Sequence, residues 1–165
     1  MLEFVQHYSY LGLFLILLAE ESGIPFPIPG DIFIAATAGL PSSNYFLTIA
    51  TVMIATLCGS TILFSLSRTL GYKLLTKFGR FIKLTPKRVK KVQVWFQKYG
   101  GAAIVIGRLI PGLRIVTPFV AGLFGTNYKT FWAYTAIAAF IWANIYFIIG
   151  KFFAELISKF YPLFS

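Results

Sequence analysis

The chain has 165 residues, 58% of them hydrophobic and 12% charged, with a mean hydropathy of +0.77. A water-soluble domain of this composition would expose more apolar surface than water tolerates, so the expected solvent is a bilayer and the expected unit a single domain over residues 1–165. The formal charge of +10 does not point to nucleic acid, because the basic run is flanked by apolar stretches and carries its own apolar residues at helical spacing.

Cys58 is the only cysteine and His7 the only histidine, which excludes an intrachain disulfide, a cysteine or histidine metal cluster and the usual Ser/His/Asp triad. Cys58 is read as a small buried hydrophobe and His7 as an interfacial side chain. With no activated nucleophile and no metal set, neither an enzyme nor a cofactor is expected.

In chain order, Tyr8 to Ala19 is an apolar stretch of about twelve residues, short of the roughly 20 that a crossing helix needs. It runs into Glu20 and Glu21, unlike a cleaved signal. The segment Gly23-Ile24-Pro25-Phe26-Pro27-Ile28-Pro29-Gly30 then breaks any helix. Asp31 to Leu40 is apolar again and ends in the turn Pro41-Ser42-Ser43-Asn44, so two short arms around a proline-rich tip read as a re-entrant hairpin. Asp31 falls near the start of the returning half-helix, where a carboxylate suits the positive end. Tyr45 to Ser67 is uncharged and long enough to cross, and Arg68 marks its cytoplasmic end.

Asp and Glu are absent from Ile32 to Ala154, whereas Lys73, Lys77, Arg80, Lys83, Lys87, Arg88, Lys90, Lys91 and Lys98 form one basic connection suited to anionic headgroups. Within it Thr85 and Pro86 read as a helix start, and Val89, Val92, Trp95, Phe96 and Tyr99 as one apolar face lying on the inner membrane surface. From Ala102 the first theme returns: an arm to Gly107, a break at Pro111-Gly112, a second arm to Gly125, and a crossing candidate from Phe131 to Ile149.

A shift of 83 positions lays Ala38-Gly39-Leu40 on Ala121-Gly122-Leu123, Asn44-Tyr45 on Asn127-Tyr128, and Asp31 on Arg114. A hairpin plus one crossing is an odd number of spans, so duplicated copies point in opposite directions. The expected fold is all-α: two inverted repeats, about 8–71 and about 101–160, each a re-entrant helical hairpin plus a transmembrane helix, joined by a basic amphipathic connection at about 72–100.

Glu20, Glu21, Asp31, Arg108 and Arg114 all fall beside the breaks. Five unpaired charges at mid-bilayer would cost about 12–18 kcal/mol on insertion scales, comparable to a whole protein's stability. They are therefore expected to meet in a wet cavity between the two hairpin tips. Three acids against two arginines leave one negative charge in excess, so one carboxyl is expected to hold a proton and activity to be proton-linked. The arginines suit a phosphate, since a guanidinium offers a fork of donors to tetrahedral oxygens. The competing reading is that these pairs only staple the hairpins.

Glu20-Glu21-Ser22-Gly23-Ile24-Pro25-Phe26-Pro27-Ile28-Pro29-Gly30-Asp31 resembles the first motif of the DedA family (VTT or SNARE-associated domain). Gly107-Arg108-Leu109-Ile110-Pro111-Gly112-Leu113-Arg114, continuing through Pro118 and Ala121-Gly122, resembles its second. Gly59-Ser60, Ser67-Arg68-Thr69-Leu70-Gly71, Trp95 to Gly100 and Trp142 also look like landmarks of that family. The resemblance implies a bacterial or archaeal plasma-membrane lipid transporter or scramblase, with undecaprenyl phosphate or phosphatidylethanolamine as candidate substrates and dependence on the proton gradient. It carries functional roles to Glu20, Asp31, Arg108 and Arg114, with Glu21 as the alternate for Glu20. Many relatives continue into another span where this sequence has the tail Tyr161-Pro162-Leu163-Phe164. The number of subunits stays open, a homodimer being one arrangement. The leading expectation is movement of a phosphate-headed lipid whose acyl chains stay in the bilayer; the alternatives are proton-coupled transport of a small soluble ion, and a non-transporting scaffold that would leave the cavity sealed.

Overall fold

A computed structural model of the chain describes residues 2–24, 27–71, 73, 85–110 and 112–160, with side chains from Ser9 onward. Pro25, Pro111, Lys77, Arg80 and Lys83 lie outside the described residues, as does the side chain of His7. Seven helices and no strands occur among those described: α1 Leu2–Glu21, α2 Gly30–Gly39, α3 Tyr45–Leu70, α4 Pro86–Tyr99, α5 Ala102–Leu109, α6 Val116–Leu123 and α7 Tyr128–Phe160. Two of them, α3 and α7, are long and apolar enough to cross a membrane.

The helix ends follow local chemistry. At the end of α1, Gly23 takes φ 93°. Its N–H returns to Glu20 O and that of Ile24 to Ala19 O, a glycine-terminated close that satisfies the last carbonyls. Asn44 caps α3 by accepting from Leu47 N at 3.2 Å, and Gly71, at φ 53°, closes it. Thr85 accepts from Arg88 N at the start of α4, with Pro86 in the first turn. Pro118 sits in the first turn of α6, where its missing N–H costs no helical bond.

Four expectations need correction. The first arm is a twenty-residue helix rather than about twelve, because an apolar run measures only the stretch facing hydrocarbon, while backbone N–H and C=O groups are best satisfied by continuing the helix past it. The last crossing helix extends beyond Ile149 to Phe160 for the same reason. The amphipathic helix α4 does not merely rest on a surface: Val89 and Val92 are buried against Leu63, Val116, Phe119 and Val120, while Lys87, Lys90, Lys91 and Lys98 stay exposed. Cys58 is exposed rather than buried, since a side chain that faces hydrocarbon need not hide from it.

The helices pack in a swapped pattern. Each first arm lies on the long helix of its own half, α1 on α3 and α5 on α7. Each returning helix crosses to the long helix of the other half, α2 to α7 and α6 to α3. Both crossings depend on small residues. A methyl on Gly150 of α7 would collide with the backbone of Ala35 in α2, and one on Gly122 of α6 would collide with Phe64 O and Ser67 Oγ of α3. Around these crossings Leu17, Ile34, Val52 and Phe147 form one core, while Phe64 stacks on Phe131 at 4.3 Å in another.

Gly150→Val is expected to destabilise the fold by about 1–3 kcal/mol through overpacking against backbone that cannot yield. Gly12→Ala, where no atom lies near the added methyl, is expected to stabilise by up to about 1 kcal/mol through helix propensity. Thermal unfolding of the detergent-solubilised variants checks both signs.

Candidate functional site

Glu20 and Glu21 occupy the last turn of α1, where the helix dipole disfavours carboxylates. Two features offset that placement. Gly30 N, the first amide of α2, donates to Glu20 Oε2 at 2.9 Å, so the acid that ends one helix caps the next. A side chain at Gly30 would strike that same oxygen and Leu17, which makes glycine the residue that allows the cap. Asp31 follows in the first turn of α2, at the positive helix end.

The second feature is the pair of arginines. Arg108 comes from the last turn of α5 and Arg114 from the turn after Gly112, which has φ 79°. Arg114 reaches all three acids through three different nitrogens: Nη2 to Glu20 Oε1 at 2.7 Å, Nε to Glu21 Oε1 at 3.1 Å and Nη1 to Asp31 Oδ1 at 2.8 Å. Arg108 Nη2 donates to Glu21 Oε2 at 2.8 Å. Glu21 thus bridges both guanidiniums and is 1% exposed, against 13% for Glu20 and 18% for Asp31. Arg108 is 3% exposed, and its Nη1 is buried without a protein acceptor.

All five charged residues singled out in the sequence therefore meet in one place, with the break at Gly30 beside them; Pro27 and Pro29 lie in the loop between α1 and α2, and Gly112 lies against the Arg88 guanidinium of α4. Among the described residues Arg108, Arg114, Glu21, Thr56 and Trp142 line a void of about 10 Å³, room for a single water. One forked guanidinium satisfies three carboxylates directly and so separates the like charges. Among the described residues no His, Cys, Asp or Glu cluster is arranged for a metal ion.

Two residues join the site beyond the five charges: Trp142, which the sequence offered only as a family landmark, and Tyr146, which it did not single out. Trp142 Nε1 donates to Asp31 Oδ1 at 3.1 Å while its ring carries the Arg114 guanidinium at 5.2 Å. Tyr146, one turn on, packs against Trp142 at 4.8 Å. The available signal was position, since aromatic residues with a polar edge favour the ends of a crossing helix and these two stand well inside one.

A model of the VTT domain matches residues 28–152. The chain belongs to this family, the DedA family. The match takes in Asp31, Arg108, Arg114 and Trp142. Among individual VTT-domain relatives, the chain is 32% identical to "Uncharacterized membrane protein YbfM" of Bacillus subtilis, covering 90% of this chain and 93% of that one. It is 32% identical to "Undecaprenyl phosphate transporter A" of Staphylococcus aureus, covering 90% and 76%. It is 31% identical to "Protein DedA" of Escherichia coli, covering 89% and 69%. These relatives are bacterial proteins, and no solved structure matches the chain.

Burial ranks the acids. Glu21→Ala leaves two buried guanidiniums short of a partner and is expected to cost about 3–5 kcal/mol. Asp31→Ala removes a more exposed acceptor and is expected to cost about 1.5–3 kcal/mol. Unfolding midpoints in detergent should order the variants wild type, Asp31→Ala, Glu21→Ala, from most to least stable.

Proposed function

We propose that this VTT-domain protein moves a phosphate-headed lipid across the bacterial plasma membrane. The observation that carries the reading is a pair of buried guanidiniums at the broken helices of the second half, one with an N–H donor not used by any protein acceptor. Fork-shaped donors in a low-dielectric site match the tetrahedral oxygens of a phosphate. The relative named as an undecaprenyl phosphate transporter supports that headgroup class; phosphatidylethanolamine also carries a phosphate, as a diester.

In this reading the chain is two inverted repeats in multi-pass arrangement, at about 8–71 and about 101–160, with α1–α2 and α5–α6 as the membrane-dipping pairs. The swapped packing of α2 on α7 and α6 on α3 supports it, as does the direct contact of Asp31 with Arg114, the pair that the 83-residue offset relates. The Arg68 end of α3 and the exposed lysines of α4 face the cytoplasm and its anionic headgroups.

The closed charge cluster is the resting state, and a phosphate enters by competing with carboxylates for Arg108 and Arg114. A carboxylate that loses its guanidinium is left as an uncompensated charge in a low-dielectric place, so it takes a proton. Anion entry and proton uptake are then one step, with Glu20 and Asp31, the more exposed acids, exchanging the proton.

The second reading, a non-transporting scaffold, is favoured by one observation, the small size, about 10 Å³, of the void beside Glu21, Arg108 and Arg114. Flux decides between them. Liposomes bearing the protein should speed the transbilayer movement of labelled undecaprenyl phosphate and respond to an imposed pH gradient. Arg108→Ala and Arg114→Ala should each reduce that flux at least tenfold. Equal flux in wild type, variants and protein-free liposomes would establish the scaffold instead.

A further inference from the structure

An apolar groove of about 270 Å³ runs between α1 and α2 on the outside of the molecule. One wall carries Gly12, Leu13 and Ile16 of α1, the other Phe33 and Ala36 of α2 with Leu40 at its C-terminal cap. Within each wall these positions recur at the three- and four-residue spacing that puts side chains on one helix face. The two helices run antiparallel, because Glu20 meets Gly30 at one end and Tyr10 Oη accepts from Asn44 N at the other.

What opens the groove is the smallness of Gly12 and Ala36. A methyl placed on Gly12 would meet no atom within 4 Å, so the glycine is not required by close packing or, in mid-helix, by a positive φ. Glycine in a helix interior is unfavourable by about 1 kcal/mol relative to alanine, and nothing in the protein's own packing calls for it here. A residue kept small beside open space leaves that space for something else.

The groove also points toward the charges. Ile16 stands one turn before Glu20 on the same face of α1, and Phe33 one turn after Gly30, whose N–H donates to Glu20. The apolar walls, about 10 Å long at the rise of an α-helix, therefore lead toward Glu20, which holds Arg114 Nη2 at 2.7 Å. An apolar slot on the side of a carboxylate-held guanidinium has the polarity of one molecule, an amphiphile with a slender hydrocarbon chain and an anionic head. A larger groove on the opposite side of α1, lined by Leu11, Phe14 and Ile54 among others, lies on the face of that helix turned away from Glu20 and serves as a comparison surface.

We propose that the α1–α2 groove is the seat of one hydrocarbon chain of the phosphate-headed lipid, so that the chain travels on the protein rather than in bulk lipid. The proposal rests on the lipid reading of the site given above, and chain seating and lipid movement can be measured separately.

The test uses phosphatidic acid bearing a mid-chain diazirine, in phosphatidylcholine vesicles containing the full chain. Photolabel is expected on the peptides holding Ile16 and Phe33 in preference to those holding Leu11 and Ile54. Gly12→Leu, whose Cβ meets no atom within 4 Å and whose longer branch enters the groove, should melt no lower than wild type and lower that labelling at least tenfold. Ala36→Leu fills the same groove from the other wall and should do the same, while Ala133→Leu, on an exposed face of α7, should change nothing. Labelling spread evenly over the lipid-facing surface, or unchanged in both groove-filling variants, overturns the seat. Groove labelling in wild-type protein that moves no lipid keeps the seat and defeats the transport reading; lipid flux that survives both groove-filling variants keeps transport and defeats the seat.

Discussion

Five ionisable side chains share a space in which an isolated charge costs several kcal/mol, and most of the architecture follows from how that cost is offset. Arg114 is the centre, because its guanidinium presents Nε, Nη1 and Nη2 in one plane and spends each on a different carboxylate. A lysine at the same position would offer a single point of charge and leave two acids facing each other uncompensated. Trp142 completes the arrangement from beneath, with its ring against the guanidinium and its N–H on Asp31. The cluster does not balance in charge: three acids and two arginines leave one negative charge when all are ionised.

The cluster demands close approach of helix ends, and the glycines supply it. Gly30 lets Glu20 cap α2, and Gly59 lets the last turn of α1, including Glu21, lie directly against α3. Gly122 and Gly150 bring each returning helix onto the long helix of the opposite half. As a result neither half is a self-contained unit. α2 depends on α7 and α6 on α3, so the acids from one half and the arginines from the other are held by contacts that also bind the halves together.

This interdependence bears on how a phosphate could reach the arginines. Two long helices pack on each other and anchor the assembly, whereas the helices that end at the cluster are short in three of four cases: ten residues in α2 and eight each in α5 and α6. Short helices with few internal hydrogen bonds draw their stability from packing rather than propensity, so the site is built on the elements that can shift at least cost. A ligand able to replace the carboxylates on the guanidiniums would supply at the site what those helices lose on moving.

The sequence alone determined that the chain belongs in a lipid environment, where the helices break, and which five charges need partners. These are consequences of composition, of proline and glycine, and of the cost of burying charge, all local to a residue and its neighbours. It also gave the 83-residue offset that relates Asp31 to Arg114. Only the tertiary structure decided that Glu21 bridges both arginines and is the most buried acid, that Trp142 and Tyr146 join them, and that the returning helices cross between halves. It alone showed that Val89 and Val92 are core rather than surface, that Cys58 faces outward, and that one guanidinium serves all three acids. Each depends on how a guanidinium, a ring or a helix face meets atoms distant in the chain, and apolar periodicity cannot separate a face turned to protein from one turned to lipid.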